Sequence, residues 1–160
     1  MLSRFNYVNS DQSYCFEHTL YNGKPNMAKM LNNVCGYLPR TDVISEEIVN
    51  ILKVEPKRNV LVLSDRRGHL TDILESLGNM GISEEHIGYY VGGMKNEHLV
   101  ESESKQIILG TYNMVSEGFD LPKLDTLIMA SPKSNVEQSV GRIQRKLMSE
   151  REYTPTVIDI

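Results

Sequence analysis

The chain has 160 residues, 40% of them hydrophobic, and a formal net charge of −4. That is one ordinary domain with enough apolar material for a core, and it leaves no room for a second full domain. The mild acidity excludes a generally basic surface, so any nucleic-acid contact must come from a local patch; no apolar run is long enough to span a bilayer, and the expected setting is intracellular and reducing.

Residues 1–23 are expected to form a linker or an added strand. The first 13 are polar and irregular, after which Tyr14, Phe16, His18 and Leu20 alternate with Cys15, Glu17, Thr19 and Tyr21 as a strand would. Pro25 can open a helix whose apolar stripe, Met27, Met30, Leu31, Val34 and Leu38, is expected to pack as core rather than bind a metal or partner. A second helix is expected over 41–52 with Ile44, Ile48, Ile51 and Leu52 inward. Cys15 and Cys35 are far apart, without zinc-ligand spacing, and read as free thiols.

From Asn59 onward short β-rich runs alternate with helical patterns. Val60 to Leu63 reads as a buried strand, followed by Leu70, Ile73, Leu74 and Leu77 at helical spacing. Ile87 to Val91 is the next strand, closed by Gly92-Gly93, and Asn96 to Ser102 suits a short helix. Further strands are expected over Gln106 to Leu109, Leu124 to Met129 and Thr156 to Ile160. Near-continuous apolar strands separated by helices predict an α/β fold, an open and mainly parallel sheet with helices on both faces. Ligands of such sheets collect beyond the carboxyl ends of the strands, where Ser64 to Arg67, Gly92-Gly93 and Gly110 to Asp120 would lie together.

Between the last two strands, Ser134 and Glu137 form a Ser-x-x-Glu helix start after Pro132. At about 100° per residue, Gln138, Arg142 and Arg145 share one side of this helix, opposite Val136, Val140, Ile143 and Leu147. Two guanidinium forks on a face that Gly141 leaves open suit phosphate oxygens, although a basic helix face can equally be solvated.

Taken in order, Val60-Leu61-Val62-Leu63-Ser64-Asp65-Arg66-Arg67, then Gly110-Thr111-Tyr112-Asn113-Met114-Val115-Ser116-Glu117-Gly118-Phe119-Asp120-Leu121-Pro122, then Gln138 to Arg145 resemble motifs IV, V and VI of superfamily 2 helicases. Tyr90-Val91-Gly92-Gly93-Met94-Lys95 and the Ser-Glu-Gly-Phe-Asp-Leu-Pro turn are most similar to helicases of large cytoplasmic DNA viruses, the poxvirus transcript-release and African swine fever virus types. The resemblance covers 24–160 and is to the second, C-terminal RecA-like lobe alone. The sequence has no Gly-x4-Gly-Lys-Ser/Thr phosphate loop and no Asp-Glu pair to hold magnesium, so the chain alone is expected not to hydrolyse ATP efficiently.

The resemblance implies an ATP-dependent helicase or translocase in which the N-terminal RecA-like lobe of the same protein binds most of ATP and Mg²⁺. It makes Arg142 and Arg145 arginine fingers that stabilise the transferring phosphoryl group. Gln138 would position the γ-phosphate or the fingers, or simply satisfy a neighbouring backbone group. Asp120 would accept from the ATP ribose, and reads equally as a turn residue before Leu121-Pro122; Gly118 would permit the turn. Glu117 would hold the arginines or remain solvated. Ser64, Arg66, Gly92, Gly93, Lys95 and Thr111 would follow the backbone of a single strand, DNA favoured over RNA, without reading bases; a plain surface ion pair is the other reading of Arg66-Arg67. His69 is expected on the helix after the first motif without catalytic work.

A role in viral transcription, replication or repair, in the host cytoplasm or virion and without a membrane, follows from the same resemblance. The alternative is a stand-alone RecA-like binding or regulatory module without catalysis. A dinucleotide-binding oxidoreductase is disfavoured, because no Gly-x-Gly-x-x-Gly follows a strand and opens a helix.

Overall fold

The computed structural model describes residues 2–4, as backbone, and residues 10–117, 119–134 and 152–160. Six strands, β1 (Leu2–Arg4), β2 (Val60–Ser64), β3 (Ile87–Tyr90), β4 (Ile107–Thr111), β5 (Thr126–Met129) and β6 (Thr156–Asp159), form one sheet in the order β1-β6-β5-β2-β4-β3. All five pairings are parallel. The helices are α1 (Gln12–Cys15), α2 (Met27–Gly36), α3 (Leu38–Val54), α4 (Arg67–Asn79), α5 (Asn96–Glu103) and α6 (Tyr112–Ser116).

The strands are apolar on both faces because both are covered, as a parallel sheet requires. Val60 and Val62 point toward α3 and α4, joining Ile44, Ile48, Leu70, Ile73 and Leu77 in one core. Leu61 and Leu63 point the other way, toward Tyr112, Val115, Phe119 and Leu124. Each such side chain removed from water stabilises the fold by roughly 1.5–3 kcal/mol. At the edge strand β3 the second cover is α5, and it comes close. A Cβ on Gly88 would lie 2.7 Å from the Cα of Ser102, so only glycine fits there.

Two buried arginines tie the ends of this sheet. At the amino end, Arg58 donates to Thr126 Oγ1 (3.1 Å), to the Thr154 carbonyl (3.0 Å) and to Glu55, and it lies 3.4 Å from Asp125 Oδ1. At the carboxyl end, Arg40 reaches out of α3 to donate to the carbonyls of Ala130 (2.6 Å) and Ile160. Both carbonyls lie just past a strand, β5 and β6, so the buried guanidinium fork supplies donors to acceptors there.

The N-terminal part departs from expectation in two ways. The alternation from Tyr14 to Tyr21 is not a strand: Asp11 caps the short helix α1 by accepting from the Ser13 amide, and the remaining pairing is an isolated bridge between Thr19 and Pro25. Alternation makes a strand only where a neighbour offers a ladder, and none of the sheet's strands lies there. The methionine stripe is only partly core, with Met30, Leu31 and Val34 half-buried. Met27 and Leu38 are 69% and 58% exposed, whereas Cys35 is the buried residue of α2. The expected helix over 41–52 extends to Leu38–Val54, with Pro39 in its first turn, where a missing N–H costs nothing.

Candidate nucleic-acid and nucleotide interface

The register puts the motif loops at one end. Ser64 is the partner of Thr111, Tyr90 of Gly110, and Leu63 of Met129, so the turns after β2, β3, β4 and β5 all leave the carboxyl edge.

The β2–α4 turn is the most constrained of them. Ser64 is fully buried. Its Oγ accepts the Arg66 amide N–H (3.2 Å) and lies within hydrogen-bond distance of His69 Nδ1 (3.0 Å), with Cys35 Sγ 3.9 Å away. His69 is bonded through Nδ1 alone, because Nε2 is a buried atom without a hydrogen-bond partner, and a second proton on the ring would find no acceptor there. Burial, helped by the Arg40 cation, pushes its pKa down to about 4. Burial also pushes the Cys35 thiol up, so it packs as an ordinary buried thiol. Ser64 thus differs from the expectation of a hydroxyl presented to a nucleic-acid phosphate: strand alternation turns it inward, and what it shapes is the backbone of the turn above it.

A second clamp crosses the strands. The Asp65 amide donates to Ser131 Oγ (2.9 Å), and the Tyr112 hydroxyl donates to the Ser131 carbonyl (2.8 Å). Lys133 Nζ lies 3.2 Å from Asp65 Oδ1 and 5.1 Å from the centre of the Tyr112 ring. Ser131 and Lys133 open the segment that leads to Gln138, Arg142 and Arg145. The turns after β2, β4 and β5 are therefore one hydrogen-bonded unit. Burial raises the Tyr112 phenol far above its ordinary range, so it stays a donor at every accessible pH.

The remaining positions are more open. Arg66 is half-buried, its Nε donating to Asn32 Oδ1 (2.7 Å) at the end of α2's exposed face. Gly92 is half-buried, and its carbonyl accepts from Arg67 (3.2 Å); Gly93 is exposed with φ 83°, a left-handed turn that favours glycine. Lys95 is exposed just before α5. Thr111 is half-buried at the start of α6, and Glu117 and Asp120 are exposed on either side of buried Phe119, whose ring meets Tyr90 edge-on at 4.6 Å. Gly118, Gln138, Arg142 and Arg145 lie outside the described residues. Among the described residues no three acidic, histidine or cysteine side chains converge. No helix among them is long and apolar enough to cross a membrane.

Residues 42–147 match the helicase conserved C-terminal domain. The chain belongs to this family. It is 37% identical over 157 residues to a protein of Acanthamoeba polyphaga mimivirus named as an ATP-dependent RNA helicase, covering 98% of this chain and 28% of that one. An African swine fever virus protein named as an ATP-dependent RNA helicase is 32% identical over 87 residues, 54% of this chain and 17% of its own. The chain thus spans less than a third of these relatives. The crystal structure of T4 UvsW superposes with a TM-score of 0.63 at 20% identity, over 99% of this chain and 31% of that one, which shows the shared fold. The sheet is that of a RecA-like helicase lobe, as the sequence pattern predicts.

The sequence reading missed the residues that brace this helicase C-terminal domain: Asn32, Arg40, Tyr112, Ser131 and Lys133. Tyr112 stood inside the second motif, and its place directly after a strand was the one available signal.

Proposed function

We propose that this helicase C-terminal domain is the second lobe of an ATP-driven superfamily 2 translocase, built from 24–160 with the residues before it as an added edge. The observation that carries the reading is the convergence of the turns after β2, β3 and β4 on one sheet edge in a chain of this family. Arg66, Lys95, Thr111 and the backbone of Gly92-Gly93 hold successive phosphates of a single strand, on a turn shaped from beneath by Ser64. These contacts reach no base edge, so they bind without sequence preference.

ATP lies against the other side of the same edge, with Asp120 and Glu117 on the turn that Gly118 permits and Gln138 beside the γ-phosphate. Arg142 and Arg145 meet the negative charge that spreads over the transferring phosphoryl group. Mg²⁺ and the phosphate loop come from an N-terminal lobe. The two viral relatives are named RNA helicases, against the DNA preference expected from the sequence, so both strands belong in the test. The chain should bind labelled single-stranded DNA and RNA weakly, with little base preference and a steep loss on adding salt, because only a few phosphates are neutralised by an otherwise acidic domain. Tight, salt-insensitive binding would overturn the assignment.

A further inference from the structure

A cleft of about 350 Å³, lined by Arg67, Thr71, Tyr89, Val91 and Met94, opens beside the Gly92-Gly93 turn. None of the roles above uses it. It exists because β3 is the edge strand while α4 packs over β2 and β4. Tyr89 and Val91 therefore face the α4 side with only the first turns of that helix, Arg67 and Thr71, above them. Tyr89 and Met94 are half-buried against the core, so their positions are fixed from below. Arg67 is held in place by its bond to the Gly92 carbonyl (3.2 Å).

The chemistry of the walls is specific. A tyrosine ring, a thioether and a valine offer flat apolar contact, and a guanidinium at the rim offers both a cation and a planar stacking surface. Lys95 follows Met94 directly and is exposed. A cation lining an apolar slot, with exposed Lys95 next in sequence to Met94, favours a ligand that is aromatic at one end and anionic at the other, in a chain of net charge −4. The volume sits at the small end of the range for ligand clefts. A nucleotide within a strand fits this description, its phosphate on the Gly92-Gly93-Lys95 turn and its base turned into the cleft.

We propose that this cleft is a base-stacking subsite, in which Tyr89 receives one base of the single strand whose phosphates lie on the neighbouring turn. The inference rests on the reading of this edge as the strand track. It adds that binding has a base-dependent part, indifferent to base identity because every base has a π face, and insensitive to salt because stacking releases no counterions.

The test is fluorescence anisotropy on the chain with two labelled strands of equal length, one of ordinary nucleotides and one in which abasic residues replace the central bases. The base-bearing strand should bind roughly five- to a hundred-fold more tightly. That ratio should persist as salt rises while both affinities fall. Tyr89→Ala should abolish the ratio and Tyr89→Phe should keep it. Thr71→Leu, made at an exposed helix position with Tyr89 left in place, should also abolish it by filling the cleft, which guards against a Tyr89→Ala variant that fails to fold. Equal binding of the two strands by the unaltered chain overturns the subsite and leaves the strand track standing. Failure to bind either strand at low salt overturns both.

Discussion

His69 makes the stability of this domain depend on pH between about 6.5 and 4. The residue is 2% exposed, with Nδ1 bonded to the Ser64 hydroxyl and Nε2 facing no partner. Burial and the nearby Arg40 hold its pKa at about 4, against 6.5 for an ordinary histidine. Because the folded value is the lower one, the unfolded chain binds the extra proton first as pH falls. The stability contributed by neutral His69 is therefore complete above about pH 6.5 and is lost progressively toward pH 4. Between pH 7 and pH 5 the linkage amounts to about 2 kcal/mol, on the order of a 30-fold shift toward unfolding.

The assay is urea unfolding at both pH values for the unaltered chain and for His69→Asn, whose amide oxygen can still accept from Ser64. The variant's absolute stability is not the readout, since a smaller side chain leaves a cavity. The difference in pH dependence is. Glu47, Asp72 and Asp125, whose carboxyls burial pushes up, are common to both proteins and cancel. A His69→Asn variant that loses as much stability from pH 7 to pH 5 as the unaltered chain would refute the reasoning.

Tyr112→Phe removes one hydroxyl and leaves the buried Ser131 carbonyl without its donor; urea unfolding should show a loss of about 1–3 kcal/mol, and an unchanged midpoint would mean that the clamp bears no energy. Gly88→Ala forces a methyl onto the Ser102 backbone and should cost about 1–3 kcal/mol in the same assay. Gly78→Ala, with nothing within 4 Å and a helical backbone, should instead stabilise by roughly 0.5–1 kcal/mol. Arg66→Ala should weaken binding of all oligonucleotide sequences alike and flatten the salt slope by about one phosphate contact, read from titrations at several salt concentrations. Arg145→Ala, in a protein that also carries an N-terminal RecA-like lobe, should lower ATP turnover by about 10³ to 10⁵, with near-normal turnover removing it from the reaction.

What could be read from the sequence follows a physical boundary. The segments 60–64, 107–111 and 126–129 are rich in β-branched and leucine side chains and mostly buried, and 87–90 and 156–159 are short and largely apolar, so these five strands announce themselves locally. Even here the ends shift where a long-range bond intervenes. Leu124 and Asp125 precede β5 rather than belong to it, because the Asp125 carboxylate accepts from the Asn59 amide and faces Arg58. The strand alternation from Tyr14 to Tyr21 misled for the complementary reason: a two-residue period is a local property, while a ladder needs a neighbour that the topology does not supply.

The same boundary runs through the candidate site. Gly92-Gly93 and the Ser-Asp-Arg-Arg segment are legible as turns after strands, because backbone freedom dictates residue type there. The bracing is not. Arg40 meets Ala130 and Ile160 across 90 and 120 residues, and Asp65 meets Ser131 across 66, so no local pattern could pair them. Yet these bonds decide what the edge can do. With the Asp65 amide on the Ser131 hydroxyl and the Tyr112 hydroxyl on the Ser131 carbonyl, the strand-side turn cannot move without displacing the start of the segment that leads to Arg142 and Arg145. A displacement there breaks hydrogen bonds worth a few kcal/mol in all, so the two turns are expected to move together. Energy can pass between a nucleic-acid strand and a nucleotide only through such an element, one whose equilibrium both ligands bias. The Tyr112→Phe variant, which loosens it by a single hydroxyl, is therefore also the sharpest probe of coupling: in a protein with both lobes it should blunt stimulation of ATP turnover by nucleic acid more than it blunts turnover without nucleic acid, and equal effects on the two would place the coupling elsewhere.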